Sequence, residues 1–176
     1  MHDWQSIVEQ HGALVWQTAY RLLSDESDAA DCFQETFLAA LEISRREPVR
    51  NIPALLTRLA TMRAIDRLRQ RIRRNKRQSD IEDCPDTAAE AVDPVGQVQG
   101  HELAERLADS LSRLPEQEAG VFCLRYLNGM SYRQIAREMN IKTTNAGVIL
   151  HRARTKLRQM LDSVHSEKDE VCHERP

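Results

Sequence analysis

The stretch LPEQEAGVFCLRYLNGMSYRQIAREMNIKTTNAGVILHRARTKLRQML, residues 114–161, decides how the chain is read. Leu114-Pro115 ends one helix, and Pro115 can open the next because a residue in the first turn needs no backbone donor. The spacing predicts a helix from Glu116 to Leu127, with Ala119, Phe122 and Cys123 on a face continued by Tyr126 and Leu127. Asn128-Gly129 breaks it, glycine accepting the left-handed backbone that a helix end requires. Ser131 with Gln134 three residues on has the spacing of a capping box, in which each side chain satisfies the other residue's free N–H. The short helix that follows carries Ile135, Ala136 and Met139 as its apolar stripe. A turn at Asn140-Ile141 leads to a longer helix, capped by Thr143 or Thr144, whose buried side is Ala146, Ile149, Leu150, Ala153, Leu157 and Leu161. Short helices, a turn and a longer basic helix form the helix-turn-helix pattern, whose second member lies in the major groove.

Working outward, the rest of the chain also reads as helical. It has 176 residues, few aromatics and few β-branched runs, which points to an all-α protein of two small helical domains. Domains of that size bury modest cores, so each half is expected to have limited stability of its own. Residues 3–23 form an amphipathic helix with Trp4, Ile7, Val8, His11, Leu14, Val15, Ala19, Leu22 and Leu23 near one stripe. After a polar break with Ser27 as cap, a second helix runs to about Ile43 on a core face of Ala30, Phe33, Phe37, Ala40 and Leu41. Asp31, Gln34, Glu35 and Leu38 then point elsewhere, and residues alone make that a solvated face. Pro53 marks the first turn of a third helix, carried to about Arg74 and buried along Leu56, Leu59, Ala60, Ile65, Leu68 and Ile72. Residues 78–100, with six carboxylates among Pro85, Pro94, Gly96 and Gly100, read as a flexible acidic linker. Helix returns at about Glu102, with Leu103, Leu107, Leu111 and Leu114, and the polar tail 163–176 reads as frayed. There is no internal repeat.

The formal net charge of −2 conceals alternating blocks. Residues 1–44 carry −7, residues 45–77 carry +10, residues 78–105 carry −8 and residues 142–158 carry +5. One-sign density of this kind repels itself, so two basic blocks imply two surfaces facing a polyanion, most simply nucleic acid. Arg58, Arg63, Arg67, Arg69, Arg71, Arg73 and Arg74 supply the first. On the longer helix, Thr144, Asn145, Val148, His151 and Arg152 face outward early, where Asn can pair with adenine and Val or Thr can meet a thymine methyl. Arg152, Arg154, Lys156 and Arg158 suit phosphates.

Enzymatic chemistry finds no support. No glycine-rich phosphate loop, His-Glu-x-x-His or nucleophile signature is present, and no cofactor is implied. Cys32, Cys84, Cys123 and Cys172 lack zinc or disulfide spacing. Cys32 and Cys123 read as small core residues, and Cys84 has no specific support as a redox sensor. His165, Cys172 and His173 do not match a zinc spacing, so no metal is expected. Neither a signal peptide nor a spanning apolar run is visible, giving a cytoplasmic expectation.

Three stretches carry a resemblance. Asp31-Cys-Phe-Gln-Glu-Thr-Phe-Leu38, Leu55 to Arg69 ending in Ala-Ile-Asp-Arg-Leu-Arg, and Leu114 to Arg154 with Gly129-Met130-Ser131-Tyr132 are similar to segments of bacterial RNA polymerase sigma factors of the extracytoplasmic-function (ECF) group. The resemblance implies a sigma-two-like domain over 1–77, an acidic linker over 78–100, a sigma-four-like domain over 101–162 and a tail over 163–176. It turns Asp31, Gln34, Glu35 and Leu38 into a docking face for the polymerase β′ clamp helices. Arg58, Met62, Arg63, Arg67, Arg69, Arg71, Arg73 and Arg74 would meet the minus-ten element and its opened strand. Ser131, Tyr132, Arg133, Thr144, Asn145, Val148, His151, Arg152, Arg154 and Lys156 would read the minus-thirty-five element, beside a contact to the β flap. An anti-sigma factor is a further possible partner, with no membrane insertion.

The sequence departs from the family at Leu55, often aromatic, at Met62, often Asn, and at Gly147-Val148-Ile149, where a polar and basic run is usual. Two other readings stay open: a helix-turn-helix regulator that acts without polymerase, and a sigma-like decoy that does not support initiation.

Overall fold

The computed structural model describes the backbone of residues 3–79 and 96–171, and side chains within 3–75, 77 and 103–162. Over these residues the chain is helical: α1 (Trp4–Leu23), α2 (Glu26–Arg46), α3 (Ile52–Ser79), α4 (Gly96–Arg113), α5 (Glu116–Tyr126), α6 (Tyr132–Glu138) and α7 (Thr143–Val171).

Polar caps set most of the starts. Asp3 accepts from the backbone N–H groups of Gln5 and Ser6, and Asp25 from that of Asp28 at 2.7 Å. Asn51 accepts from Ala54 N–H at 3.1 Å, opening α3 just ahead of Pro53. The capping box of α6 is complete: Ser131 Oγ accepts from Gln134 N–H, and Ser131 N–H donates to Gln134 Oε1 at 2.9 Å. Left-handed backbone at Gly129 (φ 67°) and Asn140 (φ 51°) makes the turns on either side of α6. Asn is one of the few side chains that tolerate that region.

Several boundaries differ from the sequence reading. Asp25, not Ser27, caps α2, because its carboxylate reaches the N–H three residues on. Neither Thr143 nor Thr144 caps α7; both lie in its first turn, and Lys142 C=O takes the first bond, from Ala146 N–H. Helix continues through Ser79 and resumes at Gly96, so it enters both ends of the expected linker, whose residues 80–95 lie outside the described residues. The tail also holds helix, to Val171, in a run from 142 to 171 with no proline and no glycine after Gly147.

The core faces shift too. α2 buries Ala29, Cys32, Thr36, Phe37 and Ala40, whereas Ala30, Phe33 and Leu41 are only partly covered. Thr36 can be fully buried because its hydroxyl donates to Cys32 C=O at 2.7 Å. On α3, Leu55 and Ala64 join the buried set, and Leu59 and Ile72 are partly exposed. α5 buries Glu118, Ala119, Gly120, Val121, Cys123 and Leu124, more than one stripe, while Tyr126 stays about half exposed. It is wedged between α3 and α7 and so is covered from two sides.

α1, α2 and α3 pack as a three-helix bundle around Val15, Phe37, Leu56 and Ala60. The second half does not stand apart from it. One core joins Leu23, Cys32, Ile65 and Leu68 to Leu111, Leu114, Ala119, Cys123, Ala153 and Leu157. Another seats Ala54 of α3 among Val121, Leu124, Ile135, Ala146 and Leu150. The limited core of each half is thus extended by the other.

Candidate nucleic-acid interface

The helix-turn-helix is α6 and α7, held together by Ile135, Ala146, Ile149 and Leu150. Burial of that stripe fixes which residues face out. Ser131, Tyr132, Arg133, Thr144, Asn145, Val148, His151, Arg152 and Arg154 are all exposed, Val148 to 49 %, so the expected reading residues share one open ridge. A cation–π contact, Arg125 5.2 Å from the Tyr132 ring centroid, braces its start. Lys156 is the exception: its Nζ lies 2.9 Å from Oε1 of Glu118, a buried carboxylate on α5. Gly147 lies within the ridge, and a Cβ built there would have no neighbour within 4 Å.

The first basic block is less free than its charge suggests. Arg63 pairs with Glu35 at 3.0 Å, and Arg67 reaches Glu35, Asp31 and Asp28. Burial works against the Arg67 charge, yet the Glu35 and Asp31 carboxylates outweigh it and raise its pKa above the ordinary guanidinium value. Arg71 donates to Leu23 C=O at 2.8 Å, at the end of α1. Arg69 donates to Ser112 C=O and Leu114 C=O, at the end of α4. Arg58 lies 4.0 Å from Glu138 of α6, whose pKa is raised because desolvation outweighs the nearby Arg58 and Arg137 charges. Of the eight residues expected at the minus-ten element, Arg73 and Arg74 are exposed and the other six are partly covered. Part of the polyanion that this block calls for is therefore the acidic face of α2.

That pairing splits the expected docking face. Asp31 and Glu35 turn to the α3 arginines, whereas Gln34 and Leu38 border an apolar groove of about 400 Å³ with Trp4, Val8, Phe33, Phe37 and Leu41. Leu38 is 61 % exposed at its rim. Sequence reasoning missed the α1 side of this groove; the signal was Phe33 and Leu41 assigned wholly to the core. Leu55, one of the departures from the family, is buried against the first bundle.

Profile comparison matches residues 7–84 to Sigma-70 region 2 and residues 104–157 to Sigma-70 region 4, in that order. The chain belongs to the sigma-70 family, in its ECF group. The ECF sigma factor SigE of Mycolicibacterium smegmatis is 29 % identical over 167 residues, covering 95 % of this chain and 65 % of that protein. SigW of Bacillus subtilis is 26 % identical over 162 residues, covering 88 % and 87 %. Among solved structures, CnrH in complex with the cytosolic domain of CnrY is similar at a TM-score of 0.58 and 25 % identity, covering 91 % of this chain and 88 % of that one. Sigma factors are transcription initiation factors and not enzymes.

Both described cysteines of this sigma factor are unreactive by position. Burial pushes the Cys32 thiol up to about 11 and the Cys123 thiol up to about 12. Cys84, Cys172 and His173 lie outside the described residues, and the side chain of His165 does too. Among the described residues, no cluster of three His, Cys, Asp or Glu is placed to hold a metal, and no helix is long and apolar enough to cross a membrane.

Proposed function

We propose that this chain binds core RNA polymerase and directs it to promoters through the particular surfaces described above. The groove of Trp4, Val8, Gln34, Leu38 and Leu41 takes the clamp helices of β′, with Asp31 and Glu35 beside it. The α6–α7 ridge reads the minus-thirty-five element, and α3 meets the minus-ten element and its opened strand. The domain limits are those of the sequence reading, 1–77 and 101–162, and the protein acts in the cytoplasm. CnrH is held by the cytosolic domain of CnrY, and by likeness an anti-sigma factor is proposed here.

The observation that carries the reading is the ridge itself. Nine of its ten expected residues are exposed on two helices held by a shared apolar stripe, although Ser131 also caps α6 and Tyr132 takes the Arg125 cation. Phosphate contacts from Arg133, Arg152 and Arg154 would fix the register, and Asn145 and Val148 would touch base edges. The test is binding to purified core polymerase by wild type and by Gln34→Ala/Leu38→Ala, two exposed side chains that the bundle does not use. A tenfold or greater loss, about 1.4 kcal/mol, is expected. Duplex DNA bound with no affinity for core would leave a polymerase-independent regulator instead.

A further inference from the structure

We infer that Val148 of α7 reads the C5 methyl of a thymine in the minus-thirty-five element, and that Gly147 lets the helix settle deeply enough for this short side chain to reach it. The inference rests on the reading of the α6–α7 ridge as the minus-thirty-five surface and names the base chemistry that the ridge selects.

Burial orients the helix. Ala146, Ile149, Leu150, Ala153 and Leu157 are buried and fix one side of α7 against the rest of the protein. Of the three residues that depart from the family's polar and basic run, Ile149 therefore belongs to the core, and only Gly147 and Val148 can bear on DNA. Val148 lies nearly opposite the buried stripe, with Thr144 one turn before it and His151 and Arg152 one turn after, all of them exposed.

Charge separates the tasks along α7. From Thr143 to Leu150 the helix carries no Lys, Arg, Asp or Glu, while Lys142 before that run and Arg152 and Arg154 after it are exposed. The cations bracket the run and suit phosphates, which fix register without reading sequence. Arginine and lysine are the side chains that take guanine O6 and N7, and none stands inside the run. What it offers to base edges is hydroxyls, an amide and, at its outermost point, the valine methyls. Thymine alone presents a methyl in the major groove, so Val148 favours an A·T pair.

Reach is the difficulty, because valine ends at Cγ, well short of an arginine. Gly147 answers it. A Cβ built there would have no neighbour within 4 Å, so packing inside the protein does not demand a glycine, which weakens a helix interior. Its position beside the outward valine leaves the backbone bare where DNA would come nearest, and close approach of backbone to a ligand is a use that only glycine serves so well.

The experiment is transcription in vitro by core polymerase with the full chain from a chain-dependent promoter, each thymine of the upstream element being replaced in turn by uracil. That exchange removes the methyl and leaves base pairing intact. Wild type should lose about fourfold in open-complex formation at one thymine, the worth of burying one methyl. Val148→Ser, which the helix tolerates because serine and valine have similar propensities, should use the promoter less well and lose nothing further on that exchange. Gly147→Ala should blunt the loss as well, and circular dichroism checks that both variants are folded. An element without thymine, a wild type insensitive to every exchange, or a Val148→Ser variant of undiminished sensitivity would overturn the inference while leaving the sigma reading intact. Full sensitivity in Gly147→Ala would overturn the role of the glycine. Absence of any chain-dependent promoter would instead overturn the promoter reading, and the inference with it.

Discussion

Replacing Lys156 with methionine should destabilise the protein while leaving duplex DNA binding nearly unchanged. Lys156 sits among the basic residues of α7 and reads from sequence as a phosphate contact, yet its ammonium lies 2.9 Å from Glu118 Oε1. The Glu118 side chain is 11 % exposed, and its Oε2 is buried with no hydrogen-bond partner among the described residues. Removing one member of a fully buried pair costs about 3–5 kcal/mol. Lys156 is 44 % exposed, so water can reach the carboxylate once the methionine shortens the cover, and the cost falls to about 1–2 kcal/mol. For a chain of this size, that lowers Tm by roughly 2–8 °C. Adding Glu118→Gln removes the charge that the lysine neutralises and should restore most of the loss. Thermal unfolding of the wild type, Lys156→Met and the double variant measures it. An unchanged Tm together with a clear loss of duplex affinity would refute the reasoning and return Lys156 to the DNA surface.

Other perturbations probe other links. Ser131→Ala deletes the hydroxyl half of the capping box and should cost about 1 kcal/mol, seen as faster amide exchange confined to α6. Gln134→Ala removes the reciprocal half, so the double variant should cost less than the sum of the two. Gly147→Ala should stabilise α7 by up to ~1 kcal/mol, since the new methyl meets open space; weaker promoter binding by this more stable variant would show DNA backbone passing close to that position. Cys32 and Cys123, held as thiols by burial, should resist alkylation at pH 8 in the folded chain and react on unfolding, with peptide mapping as the readout.

The helix-turn-helix was legible because its signals are local. Ser131 and Gln134 are three residues apart, Gly129 and Asn140 need only their own backbone, and the α7 stripe repeats over about four turns. Registers were harder where two apolar stripes adjoin. On α2, Ala29, Cys32 and Thr36 form one stripe and Phe33, Phe37 and Leu41 the next. Only the position of α3 decides that the first is sealed and the second borders a groove.

The seam between the halves was not legible at all. Its apolar members, among them Leu23, Leu68, Leu111 and Leu157, read as the core of their own half, and its polar ones, Arg21, Arg69 and Asn128, have local roles that call for no long-range partner. Charge misled for a related reason. Blocks of −7 and +10 suggested separate encounters with other molecules, but Asp28, Asp31 and Glu35 face Arg63, Arg67 and Arg71 within one bundle. Periodicity says which side of a helix is apolar, but not which two helices meet.

The central claim is that this chain confers promoter choice on core polymerase. The direct measurement is transcription in vitro from fragmented genomic DNA by core polymerase with and without the chain, followed by mapping of RNA 5′ ends. A small set of discrete start sites that requires the chain, and that is lost with Asn145→Ala/Arg152→Ala on the α7 ridge, is the predicted result. Core polymerase bound by the chain without any such start sites would contradict the claim and leave a sigma-like decoy.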